Sequence, residues 1–122
     1  GACQAVRRSS RSFDEPDEIR TPPKTRIEVV TIAGSEVGRF TFQPGWRWSE
    51  CVRPVVGGDS CQVDHVGYLL SGRLTVVPDG GEEIAVEAGG IYHIPPGHDA
   101  WVVGDEAAVA LEFKGASHYG KS

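Results

Sequence analysis

Four side chains that could bind a metal ion are concentrated in the middle of this sequence. Cys51, Cys61 and His65 lie in one segment, and His98 follows a Pro-Pro-Gly turn at 95–97. Thiolate and imidazole are ligands that Zn²⁺ prefers in a tetrahedral shell, and three of them with an open fourth position make a catalytic site. The same ligands also suit iron or copper. The sequence therefore predicts a divalent metal ion, with zinc or iron as the candidates.

Other roles for these residues stay open at this level. No local pair such as Cys-x2-Cys is present, so the metal hypothesis depends on the fold bringing distant strands together. Without a metal, Cys51 would be a small core residue, Cys61 a loop thiol, and the two histidines hydrogen-bonded interior residues. A Cys51–Cys61 disulfide is a third alternative. The distance between the His65 and His98 rings tests the metal hypothesis, because one ion cannot bridge two imidazole rings that lie more than about 7 Å apart.

The elements that must position these residues are predicted to be short strands. β-Branched residues dominate residues 26–33, and Gly- and Pro-rich turns such as PDGG at 78–81 recur along the chain. About nine strands follow, including one over 46–53 and one over 62–70, with helix below about 10% of residues. Residues 54–60 contain Pro, two Gly and Asp and predict a loop. The pattern favours an all-β double-sheet jelly roll or small barrel.

Length and composition predict one domain with two loose ends. A chain of 122 residues with 39% hydrophobic residues can form a single core. Residues 1–25 hold little apolar surface and predict a flexible or partner-docking arm, in which Phe13 and Ile19 are the residues able to pack. Residues 26–114 form the expected β domain, and residues 115–122 are predicted to be a loose tail.

Charge and cysteine content exclude several classes of function. The net charge is −5 and no basic stripe is present, so nucleic acid is not an expected partner. No apolar run approaches the roughly 20 residues of a membrane span, so no membrane association is expected. Three cysteines are an odd number and do not form a secreted disulfide framework. The sequence therefore predicts a cytoplasmic, reduced setting.

Residues 44–72, PGWRWSECVRPVVGGDSCQVDHVGYLLSG, resemble the first signature motif of the cupin family. Five residues separate Gly45 from Cys51, which puts Cys51 in the place of the first family histidine. Six residues separate His65 from Gly72, which puts His65 in the place of the family glutamate. An enlarged loop then precedes His65. Keeping the family's short spacing instead would put Asp59 and Cys61 at the two histidine positions.

Residues 89–101 resemble the second cupin motif. Gly89 and the turn PPG at 95–97 match the family pattern, and Ala100 stands where the family has a histidine. His98 precedes it by two residues. Since side chains two apart on a strand point to the same face, His98 is expected to enter the same cavity.

The resemblance covers residues 37–113 and implies a cupin-type double-stranded jelly-roll β-barrel, commonly a homodimer. It implies a small-molecule ligand or substrate, and the activity it suggests is that of a metal-dependent isomerase, cyclase or oxygenase. The alternative is a non-enzymatic ligand-binding or sensor cupin without metal. His93 and Asp99 are the expected acid–base groups. The residues expected to contact the substrate are Trp48, Arg53, Gln62 and Trp101.

Overall fold

The computed structural model of this chain describes residues 10–116 and 119–120. These residues form nine β-strands and two single turns of helix. The strands are β1 (Glu18–Arg20), β2 (Thr25–Ile32), β3 (Ser35–Phe42), β4 (His65–Ser71), β5 (Arg73–Pro78), β6 (Ile84–Glu87), β7 (Ile91–Ile94), β8 (His98–Val102) and β9 (Ala108–Lys114), and the helices are α1 (Trp48–Cys51) and α2 (Arg53–Val56). The prediction of an all-β fold is confirmed.

The strands form two antiparallel sheets. The larger sheet has the order β1-β2-β3-β9-β4-β7, and the smaller has the order β6-β5-β8. In the larger sheet β9 lies between β3 and β4, so it pairs with two strands that are distant from it in sequence. This order is the double-sheet arrangement of a jelly roll. It brings the carboxyl-terminal strand beside the strand that carries His65.

Period-two alternation sets which side chains face the interior. Along β9, Ala108, Ala110 and Glu112 are buried, while Val109 and Leu111 between them are only partly so. Ala108 and Ala110 are small enough for large side chains of neighbouring strands to pack over them, and Phe40 of β3 pairs with Ala110. Apolar residues of both sheets form one core.

The strand predicted over 46–53 is wrong, because residues 48–51 form α1 and α2 begins at Arg53. The loop predicted over 54–60 is wrong for residues 54–56, which complete α2. Trp48, Cys51 and Val52 are all buried, and that spacing of three and four fits a helical face. Pro54 stands in the first turn of α2, where its fixed φ favours a helix start. The segment therefore buries its apolar residues from a helix instead of a strand.

Part of the arm predicted over residues 1–25 is ordered against the domain. Residues 1–9 of that arm lie outside the described part of the chain. β1 pairs with β2, and the Arg11 guanidinium donates to the Thr31 carbonyl oxygen at 2.7 Å. Phe13 lies 5.1 Å from the Arg39 guanidinium, and Ile19 is 47% exposed. Phe13 therefore contacts the domain through its side chain, and Ile19 through the backbone pairing of β1 with β2.

The prediction of a loose tail does not account for Tyr119. Its side chain is buried, and its ring centroid lies 4.9 Å from that of Phe40 in the core. No helix in the described part of the chain is long and apolar enough to cross a membrane.

Candidate metal site

Cys61, His65 and His98 converge inside the domain. His65 begins β4, His98 begins β8, and an isolated bridge pairs Cys61 with His98. The backbone N–H of Cys61 donates to the His98 carbonyl oxygen at 2.7 Å. One donor atom from each of the three side chains lies within 4.8 Å of the others, and all three residues are buried. The two imidazole centroids are 5.1 Å apart, which meets the geometric condition for a shared ion.

The donor set fits a tetrahedral divalent ion. Bonds of about 2.0–2.3 Å at a tetrahedral angle hold a sulfur and a nitrogen ligand about 3.6 Å apart. Cys61 Sγ lies 3.7 Å from His65 Nε2. One thiolate and two imidazoles are a ligand combination that zinc accepts, with a fourth position left for water or a ligand. These three residues could therefore hold a metal ion with only small movements.

Both histidines are held with the same ring nitrogen available. His65 Nδ1–H donates to Glu112 Oε1 at 2.5 Å, and His98 Nδ1–H donates to the Pro95 carbonyl oxygen at 2.9 Å. When the ring is neutral, each bond fixes the tautomer and leaves the lone pair on Nε2. A carboxylate or carbonyl on the second nitrogen is the usual support of a metal-binding histidine.

Glu112 is the functional residue that the sequence prediction missed. Its carboxylate is buried on β9 and bonds His65 through Oε1, while the Tyr92 hydroxyl donates to Oε2. Gly67 makes room for this contact, since a Cβ there would lie 2.6 Å from the Tyr92 hydroxyl oxygen. The alternation of β9 was the available signal, because it places Glu112 on the interior face with the buried alanines.

The cluster shifts the pKa of both Cys61 and His65. Burial alone would raise the pKa of the Cys61 thiol, but hydrogen bonds to His65 and His98 outweigh it and lower the pKa to about 7. Burial alone would lower the pKa of His65, but hydrogen bonds to Cys61 and Glu112 raise it to about 9. Between these pH values the metal-free site therefore holds a thiolate beside an imidazolium.

The two imidazoles border an interior cavity of about 40 Å³. His98 and Ala100 both line it, so the expectation that they share a face is confirmed. The other lining residues, which are mainly aromatic and aliphatic, are Phe40, Phe42, Trp46, Trp48, Leu74, Val76, Tyr92, Ile94, Glu112 and Tyr119. The two imidazoles thus border a largely apolar chamber.

Cys51 does not join the cluster. It is a buried free thiol at the end of α1, and Cys61 is also a free thiol, so the two do not form a disulfide. The metal-binding hypothesis therefore passes to Cys61, the residue that the alternative motif alignment placed at a histidine position.

The residues expected to act as acid and base lie away from the cavity lining. The His93 side chain is 61% exposed, and its Nε2 lies 2.8 Å from Asp64 Oδ1. Asp99 Oδ1 accepts from the backbone N–H groups of Ser49 and Ala100 at 3.1 and 2.9 Å. The structure brings neither residue to the metal cluster.

Among the residues expected to contact the substrate, Trp48 lines the cavity. Arg53 and Gln62 are exposed. Gln62 borders a second, larger hollow of about 280 Å³ beside Cys61. Trp101 lies outside the cavity, with the Arg47 guanidinium 4.1 Å from its ring centroid.

Two antiparallel β-sheets around a buried pair of imidazoles are compatible with a cupin-type jelly roll. The family model of the EutQ-like cupin domain matches residues 25–112, and the chain belongs to that family. The earlier resemblance to cupins is therefore confirmed. A search of curated proteins finds no significant match to the chain.

Several solved structures share the fold. A protein of unknown function from Rhizobium leguminosarum bv. viciae 3841 is 22% identical with a TM-score of 0.61, and the match covers 88% of this chain and 95% of that one. KdgF from a Halomonas species is 17% identical with a TM-score of 0.55, covering 80% and 87%. A cupin-like protein from Thermotoga maritima MSB8 is 16% identical with a TM-score of 0.53, covering 77% and 70%. At these identities the likeness concerns the fold alone.

Proposed function

We propose that this chain is a metal-binding cupin that holds one zinc or iron ion through Cys61, His65 and His98 and takes a small molecule at the open coordination position. The convergence of these three donors within 4.8 Å, inside a family whose fold encloses small-molecule sites, carries the proposal. Cys61 supplies the thiolate, and the two imidazoles supply neutral nitrogen ligands. Ala100 lines the cavity at the position of a family histidine. Because alanine cannot bind a metal ion, this position supplies no fourth ligand.

The surrounding residues prepare the donors for this role. Glu112 fixes the ring of His65, Tyr92 fixes Glu112, and the carbonyl oxygen of Pro95 fixes His98. The largely apolar lining lowers the local dielectric constant, which strengthens the electrostatic contacts inside. A bound divalent ion would supply Lewis acidity or lower the pKa of a bound water molecule.

The activities that suit this chamber are isomerisation, cyclisation or oxygenation of a small organic substrate. All three need a bound ligand that is oriented in a dry cavity. The described lining offers no nucleophilic serine and no pair of unengaged carboxylates. This favours chemistry at the metal position over hydrolysis by a side-chain nucleophile.

Zinc titration of protein purified without an affinity tag tests the proposal. Wild type should bind one zinc ion per chain, measured by competition with a chromophoric chelator and by elemental analysis. His65→Ala and Cys61→Ser should lose at least about 100-fold in affinity, because each removes a ligand. His93→Ala and Cys51→Ser are the matched controls, since they remove the same side chains outside the cluster, and both should bind zinc as wild type does.

Two results would overturn the metal assignment. One is a wild-type protein that retains no metal and does not bind added zinc or iron(II). The other is an equal loss of affinity in His65→Ala and His93→Ala. Either result would favour the alternative, a non-enzymatic cupin that binds a small ligand without metal.

A further inference from the structure

A hollow beside the metal cluster is built largely by one segment of this chain. It has a volume of about 280 Å³, and eight of its eleven described lining residues lie between positions 52 and 63. These positions belong to the enlarged loop, the segment between Cys51 and His65 that is longer than the cupin motif requires. The loop that departs from the family spacing therefore forms most of the wall of a space of its own.

The enlarged loop is held to the rest of the domain by hydrogen bonds. The Cys61 N–H donates to the His98 carbonyl oxygen at 2.7 Å, which fixes the loop to β8. The Ser60 hydroxyl donates to Asp79 Oδ2 at 2.6 Å, which fixes it to the turn after β5. The Gln62 amide in turn donates to the Ser60 hydroxyl oxygen at 3.0 Å. The hollow is therefore formed before any ligand binds, as small-molecule sites usually are.

The hollow and the interior cavity meet at the metal cluster. Cys61 lines the hollow, whereas His65 and His98 line the interior cavity. Trp48 and Tyr119 line both spaces. Because one donor atom of each of the three candidate ligands lies within 4.8 Å of the others, an ion held by them would lie between the two spaces. A molecule in the hollow would therefore lie beside that ion.

The two spaces differ in what they can hold. The interior cavity of about 40 Å³ has room for a few water molecules at most. The hollow, at about 280 Å³, is close to the roughly 300 Å³ at which the usual range of small-molecule sites begins. An organic ligand of the ion therefore lacks room for its body in the interior cavity and has that room in the hollow.

The lining of the hollow favours an uncharged ligand body. Val56 and Val63 contribute hydrocarbon, and Trp48 and Tyr119 contribute aromatic rings with one N–H and one hydroxyl group. Apart from the Cys61 thiolate, which would bind the ion, no described lining residue carries a charge. A charged body would lose hydration there without gaining a partner of opposite charge, whereas an apolar body would gain from burial.

We propose that the hollow formed by the enlarged loop binds the apolar body of a small organic ligand, while one oxygen group of the same ligand coordinates the ion. The ligand class is a compact aromatic or aliphatic molecule with one metal-coordinating oxygen group and no charge on its body. The inference rests on the proposed function for the ion, and it makes the enlarged loop the element that selects the ligand. Val56 is suited to a test because it lines the hollow from the end of α2 and is not a metal ligand.

The experiment titrates the zinc-loaded full chain with two hydroxamates. Acetohydroxamate carries the coordinating group alone, and benzohydroxamate adds a phenyl ring. Methyl NMR signals of ¹³C-labelled valines report binding, over the concentration range in which elemental analysis shows that zinc is retained. Benzohydroxamate should shift the Val56 and Val63 signals saturably and bind roughly 10- to 100-fold more tightly than acetohydroxamate, the effect of burying an aromatic ring. 4-Carboxybenzohydroxamate, with a charge on the ring, should lose most of this gain.

Two tryptophan variants locate the ring in the hollow. Val56→Trp fills the hollow, and Val55→Trp is the matched control at the neighbouring position, which is 40% exposed and is not among the described residues that line the hollow. Both variants should bind zinc and acetohydroxamate as wild type does. Val56→Trp should lose the preference for benzohydroxamate, and Val55→Trp should keep it. The valine shifts of the wild-type protein test the inference even where a variant does not fold.

The outcomes separate this inference from the proposed function. Equal affinities of the two hydroxamates for the zinc-loaded wild type, or Val56 and Val63 signals that do not move, would overturn the ligand site in the hollow while the zinc site stands. A preference that survives in Val56→Trp would overturn it as well. If zinc does not bind, the proposed function fails, and titration of the metal-free chain with benzohydroxamate decides the matter. Shifts of the Val56 and Val63 signals would then uphold the hollow as a ligand site, and their absence would overturn it.

Discussion

Replacing Glu112 with glutamine tests how the candidate site is organised. The change keeps the size of the side chain and removes the negative charge that accepts the Nδ1–H of His65 at 2.5 Å. It also disturbs the acceptor of the Tyr92 hydroxyl. We expect the metal-free protein to lose stability and the pKa of His65 to fall.

The magnitude follows from the His65 pKa. Its rise from the ordinary value of 6.5 to about 9 corresponds to about 3 kcal/mol of stabilisation of the imidazolium. Cys61 and Glu112 share this effect. For Glu112 we take about 2 kcal/mol, the usual contribution of a hydrogen bond to a charged group. The sign is that of a raised folded pKa: the contribution is complete below pH 6.5 and is lost as the pH rises through about 9. Glu112→Gln should therefore cost about 2 kcal/mol of unfolding free energy near neutral pH.

Urea unfolding in the presence of a chelator measures the stability, and proton NMR of the His65 ring measures its pKa. Zinc affinity is a poorer readout for this variant near pH 7, because Glu112 supports both the metal-bound imidazole and its competing proton. Glu28→Gln is the matched control. Glu28 is equally buried but pairs with Arg39 at 2.8 and 2.9 Å, so its loss should destabilise the fold and leave the His65 pKa near 9.

A Glu112→Gln protein that keeps the His65 pKa near 9 and unfolds at the wild-type urea concentration would contradict this role of Glu112. A Glu28→Gln protein in which the His65 pKa falls by the same amount would also contradict it, since the effect would then be a general one of lost charge.

Three further predictions concern pH and packing. Zinc affinity should weaken about tenfold per pH unit from 9 to 7, where zinc displaces the His65 proton, and more steeply below 7, where Cys61 is also protonated; competition titrations that show no pH dependence would contradict this. Stability of the metal-free protein should be nearly flat between pH 7 and 9, because the His65 contribution is lost towards pH 9 while the Cys61 contribution is lost towards pH 7. Cys61→Ser should remove this compensation and also lower the His65 pKa, so urea unfolding should show stability that falls with rising pH only over the first part of this range. Tyr119→Ala should cost about 3–5 kcal/mol in the same assay, because a buried ring against Phe40 is removed; Tyr68→Ala, at a half-buried position on β4, should cost less, and equal losses would refute the packing argument.

Local patterns in the sequence were sufficient for the strands and for part of the site. Alternation along β8 places His98 and Ala100 on one face, and the structure confirms it. The helical turns were missed because Trp46 and Trp48, two residues apart, also fit one face of a short strand. The burial of Trp48, Cys51 and Val52 in the core favours the helical turns over the strand.

The composition of the cluster depended on contacts that sequence spacing does not encode. Cys51 and Cys61 were both plausible by motif counting, and the bridge between Cys61 and His98 selects Cys61. Glu112 reaches His65 because β9 pairs with β4 across 47 sequence positions. Tyr119 lies even further along the chain, and its ring packs 5.4 Å from that of His65. Such partners become visible only when the strand order is known.

X-ray absorption spectroscopy of the zinc-loaded protein tests the central claim most directly, because it identifies the atoms bound to the ion. We expect one sulfur at about 2.3 Å and nitrogen ligands at about 2.0–2.1 Å. The sulfur contribution should disappear in Cys61→Ser and persist in Cys51→Ser. A wild-type spectrum without a sulfur ligand, or a sulfur contribution that survives Cys61→Ser, would contradict a metal site formed by Cys61, His65 and His98.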